Sequence, residues 1–176
     1  MKTRHLVLVG MMGSGKSTVG TRCAERLGRP FVDTDEIVAS ITGSSVSDVF
    51  ARDGEAAFRV LEAQAVADAC AAPTPSVIAT GGGAVLDAAN RKHMRDAGFV
   101  VWLQAPAALL AGRVGDGRTR PLLSGDPHGT LERLEALRRS AYEAAAHATI
   151  ETEGLGKNAV VDAVLARFAD TGERVP

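Results

Sequence analysis

Cysteine is scarce in this chain: Cys23 and Cys70 are the only two in 176 residues, and no C-x-x-C pair or metal-ligand spacing involves them. That excludes a disulfide framework and a thiolate metal site. Both fall inside predicted helices and read as reduced packing residues of a cytoplasmic protein. Net charge is nearly absent too. Twenty lysines and arginines against 21 acids leave −1, with an isoelectric point near 6.4, so no electrostatic argument points to a nucleic acid or membrane partner. Apolar residues make up 45%, yet no run reaches the roughly 20 residues of a bilayer span. The run after Met1-Lys2-Thr3-Arg4-His5 is too short for a secretory leader core. The four histidines are scattered, no internal repeat occurs, and no linker divides the chain. The expectation is a single cytoplasmic domain over residues 1–176, acting as a monomer.

What is present is a phosphate-binding loop. Gly10-Met11-Met12-Gly13-Ser14-Gly15-Lys16-Ser17 fills every position of G-x-x-x-x-G-K-[ST]. The apolar run Leu6–Val9 precedes it, as for a strand buried on both faces, and Thr18–Leu27 can follow as a helix stopped by Gly28 and Pro30. The glycines let successive N–H groups turn toward a polyphosphate, and the helix N-terminus adds its positive dipole end. In such a loop the Lys16 ammonium reaches the β- and γ-phosphates and the Ser17 hydroxyl ligates Mg²⁺. The pattern points to a nucleoside triphosphate.

Strands and helices alternate from end to end. Strands are expected at 6–9, 30–32, 77–79, 99–103 and 148–151. Helices are expected at 18–27, 37–51 with a break near Gly43, 55–72, 87–96, 106–114, 130–146 and 158–169. This is an α/β chain of three layers around a five-stranded parallel sheet. Ligands of such sheets sit at the carboxyl ends of the strands. The phosphate loop, Asp33/Asp35 and Gly81-Gly82-Gly83 all follow strands directly. In an extended segment Asp33 and Asp35 point the same way, which suits a carboxylate near Mg²⁺ and a second one at an attacking alcohol. A helix N-cap is the plainer alternative. Three glycines in a row mark close approach of the main chain to something, with N–H groups available to substrate hydroxyls or phosphate.

The ordered set G-M-M-G-S-G-K-S-T, F-V-D-T-D, F-R-V-L-E, T-G-G-G-A-V and R-T-R-P-L-L spans about residues 6–165 and resembles the shikimate kinases. The resemblance implies a nucleoside-monophosphate-kinase-like P-loop fold with a helical substrate-binding region at about 34–62 and a mobile lid at about 115–129. It implies transfer of the ATP γ-phosphate to the 3-hydroxyl of shikimate, on the route to chorismate and the aromatic amino acids, with Mg²⁺ as cofactor. ATP falls to Gly13, Ser14, Gly15, Lys16, Ser17, Thr18, Arg113 (packing on adenine) and Arg120. The metal falls to Ser17 and Asp33, the latter through water. Lys16, Asp35 and Arg120 are the catalytic set, with Asp35 as base and Arg120 as the lid arginine; Arg118 is its neighbour and competitor. Shikimate falls to Asp35, Arg59, Gly81, Gly82, Gly83 and Arg138, with both arginines on its carboxylate.

Residue chemistry alone reads Arg59 as an ion pair with Glu55 on a helix surface. Ser140 replaces the proline of the family's R-x-P-x-Y pattern, which leaves Arg139 as an alternative to Arg138; helix phase favours Arg138. The plainer reading there is a solvated face paired with Glu135. Gly154-Leu155-Gly156-Lys157 departs from the family wording near the adenine pocket. Kinases of nucleoside monophosphates, gluconate or an aminated shikimate analogue are the nearest rivals. A guanine-nucleotide switch is opposed by the lack of any [NT]-K-x-D motif.

Overall fold

Every residue of the first strand, β1 (His5–Val9), is buried. A computed structural model describes residues 4–114 and 126–172. Four further strands join β1: β2 (Phe31–Asp33), β3 (Val77–Ala79), β4 (Gly98–Gln104) and β5 (Ala148–Glu151). Their order is β2-β3-β1-β4-β5, with every pairing parallel. Among the described residues there are also a short 3₁₀ helix, Ala84–Leu86, and seven α-helices, numbered along the chain: α1 (Lys16–Leu27), α2 (Thr34–Thr42), α3 (Val46–Ala71), α4 (Ala88–Ala97), α5 (Ala107–Val114), α6 (Pro127–Ala145) and α7 (Lys157–Ala169).

The buried stretches Leu6–Val9, Val77–Ala79 and Val100–Leu103 are apolar throughout because helices cover both faces. Val7, Ile78, Val100 and Trp102 pack with Val66 of α3, Met94 of α4, Leu110 of α5 and Tyr142 of α6. The alternate residues Leu6, Leu8, Val101 and Leu103 pack with Leu27 of α1 and with Val161 and Phe168 of α7. A third cluster, Val38, Val49, Phe58 and Ala65, joins α2 to α3 and builds the helical region beside the sheet. The thiols of Cys23 and Cys70 lie inside these cores, where burial pushes both up to about 12 and keeps them protonated.

Several local expectations are corrected. Asp33 and Asp35 do not share an extended segment: β2 ends at Asp33, whose side chain caps α2, so Asp35 lies in the first helical turn. The break expected between two helices around residue 54 is present: Gly54, at φ 83° and ψ 171°, is not helical, and α3 kinks there. Helix α6 begins at Pro127 rather than Thr130, because the Asp126 carboxylate accepts from the Gly129 N–H and proline suits a first helical turn. Gly98, expected only to stop α4, is also the first residue of β4, where a Cβ would strike the His5 carbonyl. Of the expected lid, 115–125 lie outside the described residues, with Arg118 and Arg120 among them; 126–129 form the cap and first turn of α6.

Candidate active site

The carboxyl ends of β1, β2 and β3 open into a cavity of about 550 Å³. The loop between β1 and α1 forms its floor. Gly10, at φ 149°, lies against the β4 end so closely that a Cβ would come within 2.6 Å of the Leu103 carbonyl oxygen. Gly15, at φ 92°, turns the chain into α1. The Lys16 Nζ donates to the carbonyls of Gly10 (2.7 Å) and Met11 (2.9 Å), which holds the ammonium over the loop it opens from. Ser17 Oγ donates to Asp33 Oδ2 at 2.8 Å, while Asp33 Oδ1 accepts from the Asp35 N–H at 3.0 Å. Asp33 is therefore both the helix cap, the plainer of its two sequence readings, and the partner of the loop serine.

Thr80 follows β3 between these groups. It is buried and lines the cavity, and its hydroxyl has no hydrogen-bond partner among the described residues. Arg113, in the last turn of α5, lines the cavity and donates to the Gly13 carbonyl at 3.3 Å. Thr152, Leu155 and Lys157 face it across the cavity wall, so the segment that departs from the family wording still reaches this site.

Beyond Gly82 lies a cluster of arginines and carboxylates. Arg59, half-buried on α3, pairs with Glu55 Oε1 at 2.9 Å and with Glu62 Oε2 at 2.6 Å. Burial works against its charge, but the two carboxylates outweigh it and raise the guanidinium above its ordinary value. The Glu62 carboxyl is buried and pushed up by desolvation; Arg59 and Arg138 oppose this, and Asp35 adds to it. Arg138 is 3% exposed and reaches Met11 Sδ at 3.9 Å, with its Nη1 3.5 Å from where a Cβ on Gly82 would lie. Tyr142, one turn later, donates to the Gly82 carbonyl at 2.6 Å, and burial pushes its phenol up. Arg139 turns the other way: it is exposed, pairs with Glu135 and lies 5.8 Å from the Trp102 ring. Helix phase thus brings Arg138, and not Arg139, into the cluster.

The chain that carries these groups is matched elsewhere. The family model for shikimate kinase matches residues 12–169. The chain belongs to the shikimate kinase family. A shikimate kinase of Symbiobacterium thermophilum is 50% identical over 173 residues, covering 97% of this chain and 99% of the relative. The structure of a shikimate kinase from Acinetobacter baumannii in complex with shikimate superposes with a TM-score of 0.92 at 34% identity, covering 98% of this chain and 96% of that one. The Aquifex aeolicus shikimate kinase structure gives 0.83 at 32% identity, covering 96% and 98%. The three-layer P-loop kinase fold with five parallel strands is that of the family.

Of the expected shikimate kinase residues, Gly13–Thr18, Asp33, Asp35, Gly82 and Arg113 line one cavity, and Arg59, Gly81, Gly83 and Arg138 adjoin it. The Gly81 N–H is already donated to Thr34 Oγ1 at 3.2 Å. Sequence reasoning passed over Glu62, Thr80 and Tyr142. Glu62 carried a signal, an acid three residues after Arg59 on the helix face that also holds Phe58 and Ala65. Thr80 stands in T-G-G-G-A-V and Tyr142 at the end of the R-x-P-x-Y position, but neither motif shows what the side chain touches.

Proposed function

We propose that this chain transfers the γ-phosphoryl group of ATP to the 3-hydroxyl of shikimate. The observation that carries the reading is Gly82: a Cβ there would lie 3.5 Å from the Arg138 guanidinium and 3.5 Å from both Gly10 O and Met12 N. The arginine cluster and the phosphate loop therefore meet across a single residue, which suits a small acid that bears a hydroxyl near its carboxylate.

The residues divide the work by chemistry. Loop N–H groups and Lys16 hold the β- and γ-phosphates, and the planar forks of Arg59 and Arg138 suit a carboxylate. Asp35 accepts the proton of the 3-hydroxyl as its oxygen bonds to the γ-phosphorus and the bond to the β-phosphate oxygen breaks, releasing ADP. The half-buried Asp35 lines the cavity beside the loop, which supports this role. Ser17, Asp33 and the Thr80 hydroxyl, which has no partner among the described residues, are hard oxygen donors that suit Mg²⁺, Ser17 as ligand and the others through water. The ion, when bound, neutralises phosphate charge. Arg113 packs on adenine, and Arg120, outside the described residues, stabilises charge on the transferring group. The reading includes a cytoplasmic monomer with no nucleic-acid or membrane partner.

A coupled ADP-release assay with shikimate, an aminated shikimate analogue, gluconate and nucleoside monophosphates tests this. Shikimate is expected to give by far the highest kcat/KM. A higher value for gluconate or a nucleoside monophosphate would overturn the proposal.

A further inference from the structure

Gly83 has no conformational need to be glycine. Its φ of −96° and ψ of −8° are negative, at the bridge conformation that non-glycine residues, alanine included, adopt in turns. What excludes a side chain is Arg59. A Cβ on Gly83 would overlap the guanidinium, 2.6 Å from Cζ and 2.5 Å from Nη2. The guanidinium thus fills the space that any other residue at position 83 would claim.

The remaining sides of Arg59 are held as well. Glu55 and Glu62 take its nitrogens, and the rings of Phe58 and Phe50 lie 5.4 and 6.0 Å from Cζ. Two carboxylates set the direction of the fork and Gly83 sets its depth. Gly81 is occupied differently: a Cβ there would fall on Glu62 Oε1 and 2.9 Å from Asp35 Oδ1. The run of glycines therefore admits side chains from two helices as well as offering its own N–H groups.

We infer that Gly83 is a positioning residue for the recognition of the substrate carboxylate, acting through Arg59, whose guanidinium it seats by having no side chain. The inference rests on the proposed role of Arg59 as a carboxylate ligand. It differs from substrate binding by the Gly83 N–H in one consequence. Alanine keeps that N–H and fits the same backbone, so an N–H role survives Gly83→Ala and a seating role does not. The guanidinium is the free end of a long side chain and can swing aside, so Gly83→Ala should fold.

The test is a double-mutant cycle of Gly83→Ala and Arg59→Ala, read by steady-state kinetics and thermal melting. Gly83→Ala is expected to keep its ATP KM and most of its kcat while raising the shikimate KM about 10- to 100-fold, as for one misaligned charge-assisted contact. In the Arg59→Ala background the same substitution should add nothing. An unchanged shikimate KM in Gly83→Ala, or an equal increase in both backgrounds, would overturn the inference. If Gly83→Ala is unfolded alone, Arg59→Ala must restore folding, and failure to do so overturns it as well. A wild-type enzyme that does not phosphorylate shikimate overturns the proposed function and this inference together. A wild-type enzyme that does, beside an unaffected Gly83→Ala, overturns the inference alone.

Discussion

Ser17 and Asp33, sixteen residues apart, are joined by a 2.8 Å hydrogen bond from hydroxyl to carboxylate. The bond ties the first turn of α1 to the end of β2 where the phosphate loop closes. The other Asp33 oxygen caps α2 through the Asp35 N–H, so one side chain links the nucleotide loop to the helix that carries the proposed base.

Asp33→Asn keeps one oxygen for the cap and removes the charge. The Mg²⁺ concentration for half-maximal turnover is expected to rise about 10-fold or more, in the range of lost outer contacts at metal sites. Melting should change little, since the cap survives. A Mg²⁺ titration of turnover checks this, and an unaltered requirement would remove Asp33 from the metal's surroundings.

Thr80→Val should separate stability from activity. The hydroxyl is buried without a hydrogen-bond partner among the described residues, and valine has nearly its shape. Replacement is expected to stabilise the unliganded protein by about 1 kcal/mol, the scale of an unmade buried hydrogen bond. The same change should weaken Mg²⁺-ATP binding, because the bound phosphates or their metal-held water supply the missing partner. Chemical denaturation and nucleotide titration of one variant give both readings.

Arg138→Ala and Arg139→Ala should differ sharply. Arg138 is buried among Met11, Gly82 and Tyr142, and its loss should weaken shikimate binding by about 2–5 kcal/mol while leaving ATP binding nearly unchanged. Arg139 has an exposed pair with Glu135, and its loss should move either affinity by less than about 0.5 kcal/mol. Calorimetric titration of both variants decides it; the reverse ranking would mean that the proline lost at Ser140 shifted the roles by one residue.

His5 should make the sheet sensitive to acid. Its Nδ1 accepts the Ser76 N–H at 3.0 Å and its Nε2 faces the Ala72 carbonyl at 3.2 Å, which requires the neutral ring with the proton on Nε2. Burial lowers its pKa below the usual 6.5, against the two backbone contacts and with help from Arg29. Since the folded-state value is depressed, the unfolded chain binds the proton more readily. The contribution is fully present above the unfolded value near 6.5 and is lost as pH falls through the folded one. The melting temperature should drop less between pH 7.5 and 5.5 in His5→Asn, whose amide oxygen can take the place of Nδ1.

The legible part of the site was local. The phosphate loop and the helix stop at Gly28 each depend on neighbours a few residues away, and each stands where the residue order puts it. The strand faces were legible for the same reason, because a buried parallel strand must be apolar on both sides. Asp33 and Asp35 were legible as residues but misplaced in conformation, since the pull of the Asp33 cap on the following turn outweighed a short run of strand.

The sequence by itself determined the class of fold, the nucleotide loop and the family, because these rest on short motifs in a fixed order. Only the tertiary structure decided which of two adjacent arginines turns inward, that Glu62 is the buried partner of Arg59, and that Glu62 and Arg59 fill the space that side chains at positions 81 and 83 would take. The physical reason is distance along the chain. Arg138 meets Met11 across 127 residues and Tyr142 meets Gly82 across 60, and contacts of that reach exist only once helices from both ends of the chain have packed on one sheet.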